Sequence, residues 1–227
     1  MMCQVFIVIP VFNEREALKE VLQRFNDSGE RYEIVVVDDG SDPKILLDEL
    51  KGPVHLLRHR VNLGQGAALQ TGMDYALQCG ARMLVTFDSD GQHQLEDIPA
   101  VLQPLINEEA DIVFGSRFMG KESNMPWLRN QTIRLAKFIQ CLMTGMKMTD
   151  AHNGFRGLSA HAAAKIRLRE NRMAHATEIL FEVKQHRLRW KEVPVHVAYT
   201  DYSISKGQSS SAGIRILFDV MMGRLFK

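Results

Sequence analysis

Five short apolar runs rich in β-branched residues recur along the first half of the chain: Val5 to Ile9, Ile34 to Val37, Val54 to Leu57, Met83 to Phe87 and Ile112 to Phe114. Helix-length amphipathic stretches lie between them, at about Glu14 to Phe25, Gln65 to Gln78 and Glu96 to Asn107. Apolar strands without polar alternation are covered on both faces, and an apolar strand followed by a helix is the repeating unit of a parallel sheet. The expected class is therefore α/β, a mostly parallel central sheet with helices on both faces. Most of the runs end in polar residues, which such a sheet gathers on one edge, and ligands of open α/β sheets bind at that carboxyl edge. Asn13 followed by Glu16 predicts an N-cap with an acidic partner for the first helix.

After Gly120 the rhythm changes. A long helical stretch, Leu128 to Met146, precedes an irregular DAHNGFR segment, with further helices around Ala160 and Thr177 and a last strand at Glu192 to Ala198. The Gly- and Ser-rich TDYSISKGQSSS reads as a flexible loop, and Ala212 to Phe226 as a terminal amphipathic helix. The pattern predicts one domain: residues 1–120 as a nucleotide-binding half, 121–211 as an acceptor-side half and 212–227 as the terminal helix.

Charge narrows the partners. Lys and Arg number 28 against 27 Asp and Glu, a net charge of +1, which argues against broad phosphate neutralisation on a nucleic acid. The 3 cysteines show no metal-binding spacing and fit reduced thiols in a cytoplasmic compartment. The N-terminal MMCQVFIVIPVFNE lacks a basic n-region, and its apolar run is far shorter than the ~20 residues of a membrane span. Neither secretion nor integral membrane insertion is expected.

Three segments carry chemistry. In VTFDSDGQH an apolar strand runs into Asp88, Ser89 and Asp90 and a Gly turn; two carboxylates so spaced can converge on one hard cation, and Mg²⁺ or Mn²⁺ share such ligands with substrate phosphates. Alone, the same triplet is equally a solvated turn. IVVVDDGSDP puts a second carboxylate pair, Asp38 and Asp39, at a strand end, where it can accept from a base N–H or a ribose hydroxyl. NLGQGAALQTG, from Asn62 to Gly72, lets a helix N-terminus approach sheet and ligand closely.

With VIPVFNE, VVVDDGS, NLGQGAA, FDSDGQH and FGSRF in this order, the chain resembles the family 2 glycosyltransferases of GT-A fold over Val5 to about Lys206. Through DAHNGFR, the EVP strand and the later SKG it is most similar to the branch of dolichyl-phosphate mannose synthase and bacterial polyprenyl-phosphate sugar transferases. The resemblance implies that Pro10, Phe12, Glu14 and Asp39 surround the nucleoside of a nucleotide-diphosphate sugar. It implies that Asp88, Asp90 and Gln92 hold the metal and the donor diphosphate, and that Arg117 and Arg129 face donor or acceptor phosphates. Asn153 stands where that branch has Ser, and Thr200 where it has Arg.

The reaction so implied is an inverting, metal-dependent transfer in which the cation stabilises the departing diphosphate. A sugar hydroxyl acceptor needs a carboxylate base, for which Asp150 and Glu178 are candidates; a lipid phosphate is already anionic and needs a cationic clamp, for which Arg117, Arg129, Arg156 and Lys206 are candidates. Polyprenyl phosphate is the preferred acceptor, with a lipid-linked or soluble saccharide, or a silent nucleotide-sugar-binding subunit, as the alternatives. His93, His152 and His175 read as hydrogen-bonding loop residues. No Asp or Glu lies between Glu122 and Asp150, whereas Arg129, Arg134, Lys137 and Lys147 do. This basic stretch and the terminal helix suit peripheral contact with anionic lipid on the inner face of the cell membrane, directly or through a small membrane protein; packing on the core or on a second copy of the chain is the other reading.

Overall fold

The computed structural model describes residues 4–119, 141, 144–171 and 174–198. Its seven strands form one sheet: β1 (Val5–Val11), β2 (Glu33–Asp38), β3 (Val54–Arg58), β4 (Met83–Thr86), β5 (Ile112–Ser116), β6 (Arg156–Ser159) and β7 (Trp190–Pro194), in the order β3-β2-β1-β4-β6-β5-β7. Every pairing is parallel except those of β6, which runs antiparallel between β4 and β5. The five expected strands are present. β6 was expected as irregular chain: only four residues long, with Gly157 inside it, it carries no strand signal and is held by its two neighbours. The last strand begins at Trp190 rather than Glu192 and ends at Pro194.

Helices cover both faces because each strand presents apolar side chains to both. On one face α1 (Arg15–Asp27) and α3 (Ile98–Ile106) pack on Ile7, Ile9, Val36 and Val85. On the other, α2 (Gln65–Gln78), α4 (Ala160–Lys165) and α5 (His175–Gln185) pack on Val8, Val35, Leu84 and Leu158. Alternation along each strand assigns side chains to the two cores. At Gly72 a Cβ would lie 2.4 Å from Val8 Cγ1, so α2 sits closer to β1 than any side chain permits. The α3 region is shorter than its apolar pattern suggests, because Leu95–Asp97 winds as a 3₁₀ turn before Pro99 opens the helix.

The predicted Asn13 cap is not formed. Asn13 takes a left-handed conformation, φ 56°, its N–H donates to Ser41 Oγ at 2.9 Å, and its Oδ1 accepts from Asp42 N at 2.9 Å. A side chain engaged with the β2 loop cannot cap α1, whose N-cap position passes to Glu14. The basic stretch over 120–140, the loop at Ser203 to Ser211 and the terminal helix lie outside the described residues. Among the described residues no helix is long and apolar enough to cross a membrane.

Candidate active site

Four chain segments leave the sheet at its carboxyl edge and enclose a cavity of about 460 Å³. Pro10 lies at the end of β1 and Phe12 and Glu14 follow it, Asp39 follows β2, Asn62, Gly64 and Gln65 open α2, and Asp88, Ser89 and Asp90 follow β4. Of the residues the family resemblance implies, Pro10, Phe12, Glu14, Asp39, Asp88 and Asp90 line this one cleft, whereas Gln92 and Arg117 are not among its lining residues. Phe12 leaves 43% of its surface exposed there.

The two carboxylates of the β2 turn divide their work. Asp38 is fully buried and binds Ser41 N at 2.9 Å, Ile45 N at 3.3 Å and the Arg58 guanidinium, so it shapes the turn and does not line the cleft. Asp39 lines the cleft while it accepts from Leu63 N at 2.9 Å and Gly64 N at 2.7 Å and bonds His59 Nδ1 at 2.7 Å. His59 Nε2 in turn meets Thr71 Oγ1 at 2.9 Å. A carboxylate has about four acceptor positions, and one remains for a ligand. Gly40, at φ 78°, lets the turn pass the 61–62 backbone: a Cβ there would lie 2.6 Å from Val61 C.

At the other end, Asp88 accepts from Gln65 Nε2 at 3.0 Å and bonds His93 Nε2 at 2.9 Å. His93 stacks on Phe155, with ring centroids 5.1 Å apart. Burial alone would raise the Asp88 carboxyl, but the His93 hydrogen bond and the charges of His93, Arg156 and His175 outweigh it and hold the group below its ordinary value. Asp90 goes the other way: burial first, then the neighbouring charges of Asp88 and Glu14, push it up against the N–H of Gln92. Ser89 Oγ donates to Glu14 Oε2 at 2.8 Å and ties the β1 and β4 turns together.

Two carboxylates that repel each other across a turn form an incomplete set of hard oxygen donors. Among the described residues no three His, Cys, Asp or Glu side chains group as metal ligands. Asp88 and Asp90 thus fit a cation that takes its remaining oxygens from water and a ligand's phosphates, the habit of Mg²⁺ and Mn²⁺. Gln92 enters the site through its backbone, donating to Asp90 Oδ1 at 3.0 Å and accepting from Ala198 N at 2.9 Å.

The acceptor-side candidates have other engagements. Asp150 accepts from Arg117 Nε at 2.6 Å, Nη2 at 2.8 Å and the Arg117 N–H at 3.1 Å. Glu192 holds the same segment, accepting from Thr149 N, Thr149 Oγ1 and Asp150 N, each at 2.9 Å. Glu178 accepts from Arg169 N and Glu170 N at 2.9 Å and fixes the loop before α5. Arg156, expected among the phosphate clamps, lies inside the sheet at 1% exposure. Arg129 and Lys206 lie outside the described residues. Gln65, His59 and Glu192 were missed by sequence reasoning; they lie in or beside recognised motifs, but only folding joins them to Asp88, Asp39 and Asp150.

A model of glycosyl transferase family 2 matches residues 6–167. The chain is 38% identical to an uncharacterised protein of Methanocaldococcus jannaschii, over 98% of this chain and 93% of the relative. It is 33% identical to the UDP-N-acetylglucosamine–dolichyl-phosphate N-acetylglucosaminyltransferase of Methanococcus voltae, over 98% and 97% of the two chains. With the polyprenol monophosphomannose synthase of Mycolicibacterium smegmatis it shares 28% identity, over 92% and 82%. Glucosyl-3-phosphoglycerate synthase from Mycobacterium tuberculosis, solved with Mn²⁺, UDP and phosphoglyceric acid, superposes with a TM-score of 0.68 at 16% identity, over 96% and 78%. A family match through β1 to α4, relatives aligned over nearly the whole chain and a shared sheet agree: the chain belongs to glycosyl transferase family 2, as a glycosyltransferase of GT-A fold that stands with the polyprenyl-phosphate sugar transferases.

Proposed function

We propose that the protein transfers a sugar, with inversion, from a nucleotide-diphosphate sugar to polyprenyl phosphate at the cytoplasmic face of a membrane, using Mg²⁺ or Mn²⁺. Asp39 receives a hydrogen bond from the nucleoside, Phe12 packs on its base, and Asp88 and Asp90 hold the metal beside the diphosphate. The bound cation supplies charge stabilisation to the departing diphosphate. Arg117, aligned by Asp150, presents a guanidinium at the acceptor side.

One observation favours a lipid phosphate over a sugar hydroxyl. The carboxylates of Asp150 and Glu178 are both buried and committed, the first to Arg117 and the second to two backbone N–H groups. A hydroxyl acceptor requires a base that can reach it, which a carboxylate paired with a guanidinium or buried beneath its own loop does not, whereas a phosphate monoester brings its own anionic oxygen. The relative of Methanococcus voltae, named for dolichyl phosphate, supports the same class of acceptor.

The test incubates the protein and Mn²⁺ with UDP-N-acetylglucosamine and other nucleotide sugars, adding dolichyl phosphate, dolichol or neither, and follows nucleoside-diphosphate release. Release stimulated by dolichyl phosphate and not by dolichol is expected. Equal release with both lipids, or release that only an added saccharide stimulates, would overturn the assignment.

A further inference from the structure

Arg156 opens β6, where its register partners are Thr86 of β4 and Phe114 of β5. Two residues beyond Thr86 lies Asp88; three beyond Phe114 lies Arg117, locked to Asp150. The guanidinium therefore sits between the strand ends that carry the donor-side and the acceptor-side carboxylates. It is 1% exposed, and its Nε, Nη1 and Nη2 are all buried without a hydrogen-bond partner among the described residues. His93 Nδ1 and Asn153 Nδ2 are likewise buried without a hydrogen-bond partner among the described residues.

A buried guanidinium without hydrogen bonds is costly, and a hydrophobic residue of similar length would pack at that point more cheaply. Burial lowers the pKa of Arg156 to about 10, against the opposing charges of Asp88 and Asp150, so the group stays cationic at neutral pH. The charges that oppose this shift are those of the two carboxylates. Gly157, the next residue, faces Val101 and Leu105 on the α3 side, so Arg156 points to the opposite face with Leu158.

We propose that Arg156 is a positioning residue, an electrostatic tether that draws Asp88 and Asp150 toward one another and so fixes the spacing between the donor and acceptor halves of the site. It touches neither substrate. It acts through Asp88 on the donor side and through the Asp150–Arg117 pair on the acceptor side. The inference rests on the proposed function for its consequence in catalysis, but its physical core is a coupling between three side chains.

The test is a double-mutant cycle on the ligand-free full chain, with Arg156→Met combined in turn with Asp88→Asn and Asp150→Asn. A tether predicts non-additivity at both positions, each amounting to about tenfold in the unfolding equilibrium. Additivity at either position overturns it. Arg156→Lys, which keeps the charge, is expected to retain Mn²⁺-dependent UDP binding measured by calorimetry, while Arg156→Gln weakens it by about tenfold; equal binding by both variants overturns the tether. Should the methionine variant not fold, the cycle is run with Arg156→Gln. Absence of Mn²⁺-dependent binding of any nucleoside diphosphate by the unmutated protein would overturn the proposed function instead, and the cycle would still decide the tether.

Discussion

Single atoms decide the Asp88–Asp90 end of the cleft. Asp90 has a raised pKa because it is buried beside ionised Asp88. The ligand-free fold therefore holds that proton more tightly than the unfolded chain does. The stability it lends is fully present below the ordinary value of 3.8 and is lost as the pH rises from there through the raised one. Asp90→Asn removes the repulsion, so the metal-free variant is expected to melt at or above the wild-type temperature at pH 7 while turnover falls by about 10²-fold or more. A lower melting temperature at that pH would contradict the like-charge account. Gly154 gives a second handle: a Cβ there would lie 2.3 Å from Asp88 Oδ2, with no flexible neighbour to yield except the carboxylate itself. Gly154→Ala is expected to displace Asp88 and abolish Mn²⁺-dependent UDP binding, read by calorimetry, with circular dichroism unchanged. The DSD spacing was legible in the sequence; the pressure of Gly154 on Asp88 was not, because the two are 66 positions apart.

At the scale of elements, the start of α2 is held from outside. Gly66 N donates to Asn171 O at 2.8 Å, and a Cβ on Gly66 would lie 2.1 Å from Glu170 O. The 169–170 loop is fixed in turn by Glu178. Gly66→Ala must push loop and helix apart, at a cost of about 1–3 kcal/mol, and should weaken donor binding through Gly64 and Gln65. Chemical denaturation and UDP titration check the two effects separately. At the sheet edge β7 is clamped to the start of β5: Arg189 donates to Asp111 from Nη2 at 2.9 Å and from its backbone N–H at 2.8 Å. The Arg189 hydrogen bond lowers the Asp111 pKa against burial. Its stabilisation is thus present above the ordinary value of 3.8 and lost as the pH falls through the lowered one. Asp111→Asn should flatten the acid limb of the melting-temperature profile. An unchanged limb would show that the clamp carries no stability.

For the whole molecule, a cleft built from four segments far apart in sequence couples ligand binding to global folding. UDP with Mn²⁺ at about 100 times its dissociation constant should stabilise the protein by about 2.7 kcal/mol, and EDTA should reverse the rise in melting temperature. A ligand shift that survives EDTA would separate nucleotide binding from the metal. The sequence by itself determined the five parallel strands, the helices between them and the carboxylates at their ends, because burial on both faces writes continuous apolar runs and the turns at their carboxyl ends interrupt them with Asp and Gly. It also carried the family, since its motifs are local. Only the tertiary structure decided that Asn13 ties a loop rather than capping a helix, that Asp38 is engaged in holding its own turn, and that β6 is a strand at all. The same holds for Asp150, Glu178 and Arg156, whose partners lie 33 residues away for Asp150 and 8 and 9 for Glu178, and across two strands for Arg156. A side chain's type is local information, whereas which partner takes up its charge or hydrogen-bonding capacity depends on which segments the sheet brings together.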